Sequence, residues 1–148
     1  MSKAKNPRPL NAAEYKALAE FRYQLRRFLR NMEEHAREIG HHPQQYQLLL
    51  AIKGLPRGQA PTIGAMADRM QLNHNTTVEL IDRCEKRGLL RRVKGAPDRR
   101  MVTLAITPDG EQVLRQQASA ARLELQTVGP ILAESIRQLL QNSKQRGG

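Results

Sequence analysis

Residues 62 to 107 constrain this chain more than any other stretch, because the hydrophobic period changes from helical to alternating within 46 residues. From Thr62 to Met70 the apolar side chains fall at 63, 66, 67 and 70, the three-and-four spacing of a helix with one buried face. Gln71 and Leu72 make a turn, and the Asn73 side chain can accept the free backbone N–H groups of a new first turn. Over His74–Arg87, Val78, Leu80, Ile81 and Cys84 mark an inner face, which leaves His74, Asn75, Thr76, Glu79, Arg83 and Lys86 outside. Gly88 supplies the left-handed residue common just past a helix end. Leu89–Val93 and Met101–Thr107 then read as two strands of a hairpin, turned by Lys94–Arg99.

A short helix, a turn, a second helix with a polar face and a hairpin with a cationic tip form a winged helix-turn-helix, which sets one helix in the DNA major groove. An arginine-bearing loop suits the adjacent minor groove, where the negative potential is strongest. On that reading Asn73, His74, Asn75 and Thr76 stand nearest the base edges. Asparagine pairs with adenine, and Glu79 can accept from a cytosine amino group. Arg83, Arg91 and Arg92 read as phosphate contacts that set register. Arg99 and Arg100 belong to the wing, with Asp98 pairing one of them to orient the loop.

The runs Ile63–Met70, Asn73–Arg92 and Asp98–Gly110 together resemble the winged helix-turn-helix core of the MarR family (multiple antibiotic resistance regulators), over about the central third of the chain. The most specific parts are the Asp-x-Arg of Asp98 and Arg100 and the Thr-x-x-Gly of Thr107 and Gly110. Two positions depart from the family pattern. Cys84 stands where leucine is usual, and His74-Asn75 replaces an arginine-serine start of the recognition helix, so the operator sequence is not carried over. The resemblance implies a dimeric repressor on a pseudo-palindromic DNA operator, released by a small anionic or phenolic effector. It places that effector near His41, His42 and Gln45.

The flanks fit such a core. Met1–Pro9 is basic, with two prolines and no apolar pattern, and reads as a disordered arm. Asn11 caps a long helix whose apolar seam runs through Leu18, Phe21, Leu25, Phe28, Met32, Ala36 and Ile39, while Arg22, Arg26, Arg27 and Arg30 read as solvent-facing or as long-range phosphate contacts and not as a site. Gly40 stops it, Pro43 opens the next helix as far as Gly54, and Leu55–Pro61 is a loop. After the wing, Thr107 and Pro108 start a helix that Gly129-Pro130 is expected to break, leaving a last helix over Ile131–Leu140. The expected architecture is mainly α with a small β-hairpin wing. A single domain, 1–148, would comprise a DNA-binding lobe over 43–107 flanked by long dimerising helices over 10–40 and 108–142.

Composition agrees. Lys and Arg total 25 against 14 acidic residues, a formal charge of +11, which favours a polyanionic partner, nucleic acid before anionic membrane. No apolar run is long enough to span a bilayer and no signal-peptide stretch is present, so a cytoplasmic protein is expected. One cysteine forms no internal disulfide, and Cys84 reads as an inert core thiol. His35, His41 and His42 with Glu34 and Glu38 are types that ligate zinc, yet they straddle a helix end with no second cluster to complete a set, so no metal or other cofactor is expected. No phosphate-loop, zinc-protease or nucleophile-elbow motif appears, which argues against an enzyme. The alternative is a basic architectural protein that coats DNA, or a winged helix that holds another protein. A specificity ratio on the order of a thousand or more separates a regulator from a coating protein.

Overall fold

The computed structural model describes residues 8–95 and 100–144. In chain order they form α1 (Ala12–Glu38), α2 (Pro43–Lys53), α3 (Ile63–Met70), α4 (His74–Lys86), β1 (Leu90–Lys94), β2 (Val102–Ile106) and α5 (Pro108–Lys144). The chain divides into two compact units, one of residues 32–121 and the other of 1–31 with 122–148. The arm expected at Met1–Pro9 lies outside the described residues up to Pro7.

The first unit is a winged helix whose elements begin and end on local chemistry. The Thr62 side chain accepts the Ala65 N–H at 3.1 Å to start α3, and Gln71, at φ 53°, ends it in the left-handed region. That conformation suits asparagine and glycine better than glutamine. Here the Gln71 Nε2 donates to the Asp68 carbonyl at 2.7 Å and Leu72 N–H returns to Ala67 O at 3.0 Å, which closes the helix and fixes the turn. Gly88, at φ +70°, does the same for α4, with Leu89 N–H bonded back to Cys84 O at 3.0 Å. Leu48, Leu49, Met66, Ile81, Cys84 and Leu90 are fully buried and join four elements in one core.

β1 and β2 pair antiparallel with Leu90 opposite Ile106 and Lys94 opposite Val102. A third short contact extends this hairpin: Thr62 bridges to Thr103, and Leu104 N–H donates to Pro61 O at 2.9 Å. The loop before α3 is thus tied to the wing, which no period in the sequence announces.

The junction from wing to α5 rests on two residues. Thr107 caps α5 by accepting the Gly110 N–H at 3.1 Å, donates its hydroxyl to Gly88 O, and donates its backbone N–H to Leu89 O at 3.1 Å. Gly110 is buried, and a Cβ there would lie 1.9 Å from the Leu89 carbonyl oxygen. The Thr-x-x-Gly spacing is therefore a close-approach requirement.

In the second unit the start of α1 is held by a reciprocal cap. Asn11 Oδ1 accepts the Glu14 N–H at 2.8 Å, and Glu14 Oε2 accepts the Asn11 N–H at 2.9 Å while pairing with Arg8. Late in α1 the expected seam holds, with Ala36 fully buried and Met32 packed on the core, but the buried line of its earlier part is rotated from that seam. Glu14, Ala17 and Gln24 are buried and Asn31 donates to Glu124 of α5, whereas Leu18 is exposed and Phe21 and Phe28 only half-buried.

The expected break at Gly129-Pro130 does not occur: α5 runs through Pro130 as one helix of 37 residues. Proline removes one N–H donor and crowds the preceding turn, but here helical bonds continue on both sides. Val128 and Ser135, seven residues apart on one face, are both buried, and Ser135 Oγ donates to Ile131 O at 3.1 Å. Burial of one continuous face outweighs the missing bond. Among the described residues no helix is long and apolar enough to cross a membrane.

Gly110→Ala should destabilise the protein by roughly 1–3 kcal/mol or more, because the added methyl meets backbone and cannot be relieved by a rotamer change. A denaturant midpoint equal to that of the wild type would show that the junction can open without cost.

Candidate nucleic-acid interface

The outer face of α4 is assembled by its cap. Asn73 Oδ1 accepts the Thr76 N–H at 2.8 Å, and its carbonyl accepts the Thr77 hydroxyl at 2.8 Å. With Asn73 fixing the first turn, His74, Asn75, Glu79, Arg83 and Lys86 are exposed and Thr76 is half-buried. The buried side is Thr77, Leu80, Ile81 and Cys84, so Thr77 takes the inner place expected for Val78, which is half-buried. Its hydroxyl bonds to the carbonyl four residues back, which lets a polar side chain face the core without an unmet donor.

Arg92, expected as a phosphate contact, is engaged in an internal tie. Its guanidinium donates to Asp82 Oδ1 at 2.6 Å and Glu85 Oε1 at 2.8 Å, and its backbone N–H donates to Glu85 Oε2 at 3.0 Å. The hydrogen bond to Asp82, followed by the Glu85 contacts, holds the Arg92 pKa above its ordinary value. Strand alternation explains the difference from Arg91: neighbours on β1 point to opposite faces, so Arg91 is exposed while Arg92 turns to α4. Sequence reasoning missed Asp82 and Glu85. Their spacing of three on one helix face was visible, but their partner was not.

Arg100 is exposed just before β2. Asp98 and Arg99, with the expected pairing of Asp98 to a wing arginine, lie outside the described residues.

The polar residues before α2 have structural duties. His42 Nδ1 accepts the Gln44 N–H at 3.3 Å and Gln45 Oε1 accepts the His42 N–H at 3.3 Å, so both build the start of α2. His35 Nδ1 lies 3.2 Å from Gln117 Oε1. Arg87, at the end of α4, donates to Gly40 O at 2.8 Å, and His41 is half-buried beside it. Burial first, then the Arg87 charge, lowers the His41 pKa, and a bond to Gln45 opposes them. Among the described residues no three His, Cys, Asp or Glu groups gather to hold a metal. Burial pushes the Cys84 thiol up to about 12, which leaves almost no thiolate at neutral pH.

Residues 39–101 match the sequence model of the MarR family. A stretch of 55 residues is 42% identical to the HTH-type transcriptional regulator YsmB of Bacillus subtilis, over 37% of this chain and 38% of that protein's length. AbsC, a MarR family transcriptional regulator from Streptomyces coelicolor, superposes with a TM-score of 0.69 over 96% of this chain and 100% of its own, at 17% identity. Bordetella bronchiseptica BpsR, whose DNA binding is regulated by 6-hydroxynicotinic acid, superposes with a TM-score of 0.63 over 87% and 98%, at 20% identity. At these identities the structural likeness is one of fold.

Arg92→Ala should lower stability by about 0.5–1 kcal/mol, the range of a well-formed, partly exposed ion-pair network. Arg91→Ala should stay within about 0.5 kcal/mol of wild type. Equal melting curves for the two variants would refute the tie. The lowered His41 pKa sets a second expectation. A histidine that prefers its neutral form when folded contributes stability that is complete above the unfolded pKa of 6.5 and lost as pH falls through the lower folded value. His41→Gln should therefore flatten the fall in stability below pH 6.5, as read from denaturant midpoints across that window.

Proposed function

We propose that this chain, whose residues 39–101 match the sequence model of the MarR family, is a sequence-specific DNA-binding transcriptional regulator, working as a homodimeric repressor that a small ligand releases from its operator. The observation that carries this reading is the first turn of α4, where the Asn73 cap leaves His74 and Asn75 exposed at a helix start. Such a start enters a major groove with short polar side chains leading. The reading assigns base contact to His74, Asn75 and Thr76, with Glu79 further along. Arg83 and Arg91 take phosphates, and Arg100 reaches the flanking groove with the wing residues Asp98 and Arg99. Asn73 and Arg92 hold these groups in place rather than contact bases.

Dimerisation is supported by apolar surface on the last helix. Leu125, Ile136 and Leu140 are exposed on α5. With the half-buried Leu132, the α5 residues follow at intervals of seven, four and four, the repeat of a helix face that packs on other helices. A cavity of about 740 Å³ lined by Ala17, Glu20, Ile131 and Gln138 lies beside them within the same unit. A second copy covers this surface in the proposed assembly, and two α4 helices on its two-fold axis enter successive major grooves about 34 Å apart. A ligand that binds one spacing of those helices better than the other shifts the protein off DNA. Control of BpsR by 6-hydroxynicotinic acid supports a small anionic aromatic effector. His41 is the candidate near α2 that the helix cap leaves over.

An operator selected from random duplexes provides the test. Asn75→Ala removes a bidentate base contact without changing charge, so it should cost roughly 1–3 kcal/mol on the operator and almost nothing on random DNA. The protein should sediment as a dimer in both cases. Equal weakening on both duplexes would make α4 a backbone clamp and overturn sequence reading.

A further inference from the structure

The excess positive charge is not concentrated in the winged helix. Residues 32–121 hold thirteen Lys and Arg against ten Asp and Glu, whereas 1–31 with 122–148 hold twelve against four. Within that second unit α1 carries five of the twelve cations against two of the four carboxylates. Lys16, Arg22, Arg26, Arg27 and Arg30 are all exposed, and Tyr15 and Tyr23 are exposed among them at 62% and 53%. Positions 15, 19, 22, 26 and 30 repeat at threes and fours and share one side of the helix. Glu14, Ala17 and Gln24 occupy the buried side. Among the described residues no carboxylate is paired with Arg22 or Arg26, and the Arg27 guanidinium stacks 5.7 Å from the Tyr23 ring centroid.

We propose that this stripe of α1 is a second DNA-binding surface, which takes the phosphate backbone of a duplex without reading its sequence. Like charges at successive helical turns repel one another, and a polyanion turns that repulsion into attraction. Arg22 to Arg30 spans about 12 Å at 1.5 Å per residue, and one DNA strand presents a phosphate about every 3.4 Å along that length. Arginine matches phosphate in a planar, two-point fashion. A lipid surface fits less well, because the helix would need a broad apolar side to enter it, and this side carries arginines. The inference is independent of operator reading, since it concerns a different unit of the chain.

The full chain is compared with Arg22→Gln/Arg26→Gln/Arg27→Gln and with the matching triple lysine variant. The probes are a random 60-base-pair duplex, the selected operator, and phosphatidylcholine vesicles containing phosphatidylserine. The glutamine variant should weaken both duplexes by the same factor and reduce the slope of log affinity against log salt by about 2–3, since each phosphate no longer neutralised lowers it by about 0.9. The ratio of operator to random affinity should stay unchanged, and the lysine variant should keep most of the slope. Wild-type affinity and slope in the glutamine variant would overturn the proposal, as would a weakening in the lysine variant equal to that in the glutamine variant, or retention on vesicles without binding to random duplex. If no operator emerges while random-duplex binding still depends on these arginines, the regulator reading fails and the stripe stands. If operator binding is intact and indifferent to them, the reverse holds.

Discussion

The approach of Gly110 to the Leu89 carbonyl is the contact on which the winged unit depends. Four features meet there: the end of α4, the start of β1, the end of β2 and the start of α5. Thr107 bonds to both Gly88 and Leu89 and also caps α5, so one side chain and one missing Cβ set the distance between recognition helix and hairpin. With bulk at 110 the backbone could not come this close, since the methyl would occupy the place of the Leu89 oxygen. The wing and α4 then share a base, and a change at that base would be felt along the whole candidate interface.

A second tie acts further along the same two elements. Arg92 joins β1 to Asp82 and Glu85 of α4, so helix and hairpin are held at their common base by Thr107 and Gly110 and along their length by an ion-pair network. An exposed ion pair contributes little to stability. Its geometric effect is larger, because three donors on one residue fix the direction of the strand relative to the helix. The Arg92 guanidinium is thereby engaged within the protein, and the winged unit has a small charge excess to begin with. Attraction to DNA on the present reading is therefore divided between units: groove reading by polar groups on α4, and backbone attraction shared with arginines on α1.

The polar residues around α2 carry the same lesson on a smaller scale. His42 and Gln45 have the chemistry of ligand contacts, yet their nitrogen and oxygen atoms are used by the backbone of a helix start. Backbone N–H groups at a helix start need acceptors whatever else the region does. A histidine next to a proline-opened helix is thus first a cap. His41 differs because it is pressed against Arg87, and its neutral form is favoured by both burial and charge.

The sequence by itself determined what depends on near neighbours in the chain. The periods of α3 and α4, the caps at Asn11, Asn73 and Thr107, the left-handed Gly88 and the alternation of the two strands are local, acting over a few residues, and the helix-turn-helix and wing were legible from them. Only the tertiary structure decided which polar groups remain available. Arg92 and Arg91 are adjacent and chemically alike, and the choice between ion-pair tie and exposed cation rests on carboxylates seven and ten residues earlier. Thr77 rather than Val78 faces the core because burial is set by the neighbouring elements, and the hydroxyl finds its own carbonyl. Gly129-Pro130 reads as a break by local rules, yet α5 continues because buried residues on both sides hold one face together. Local patterns fix where helices start and stop when nothing larger opposes them; the partners that neutralise a charge or outweigh a proline are brought near only by the fold.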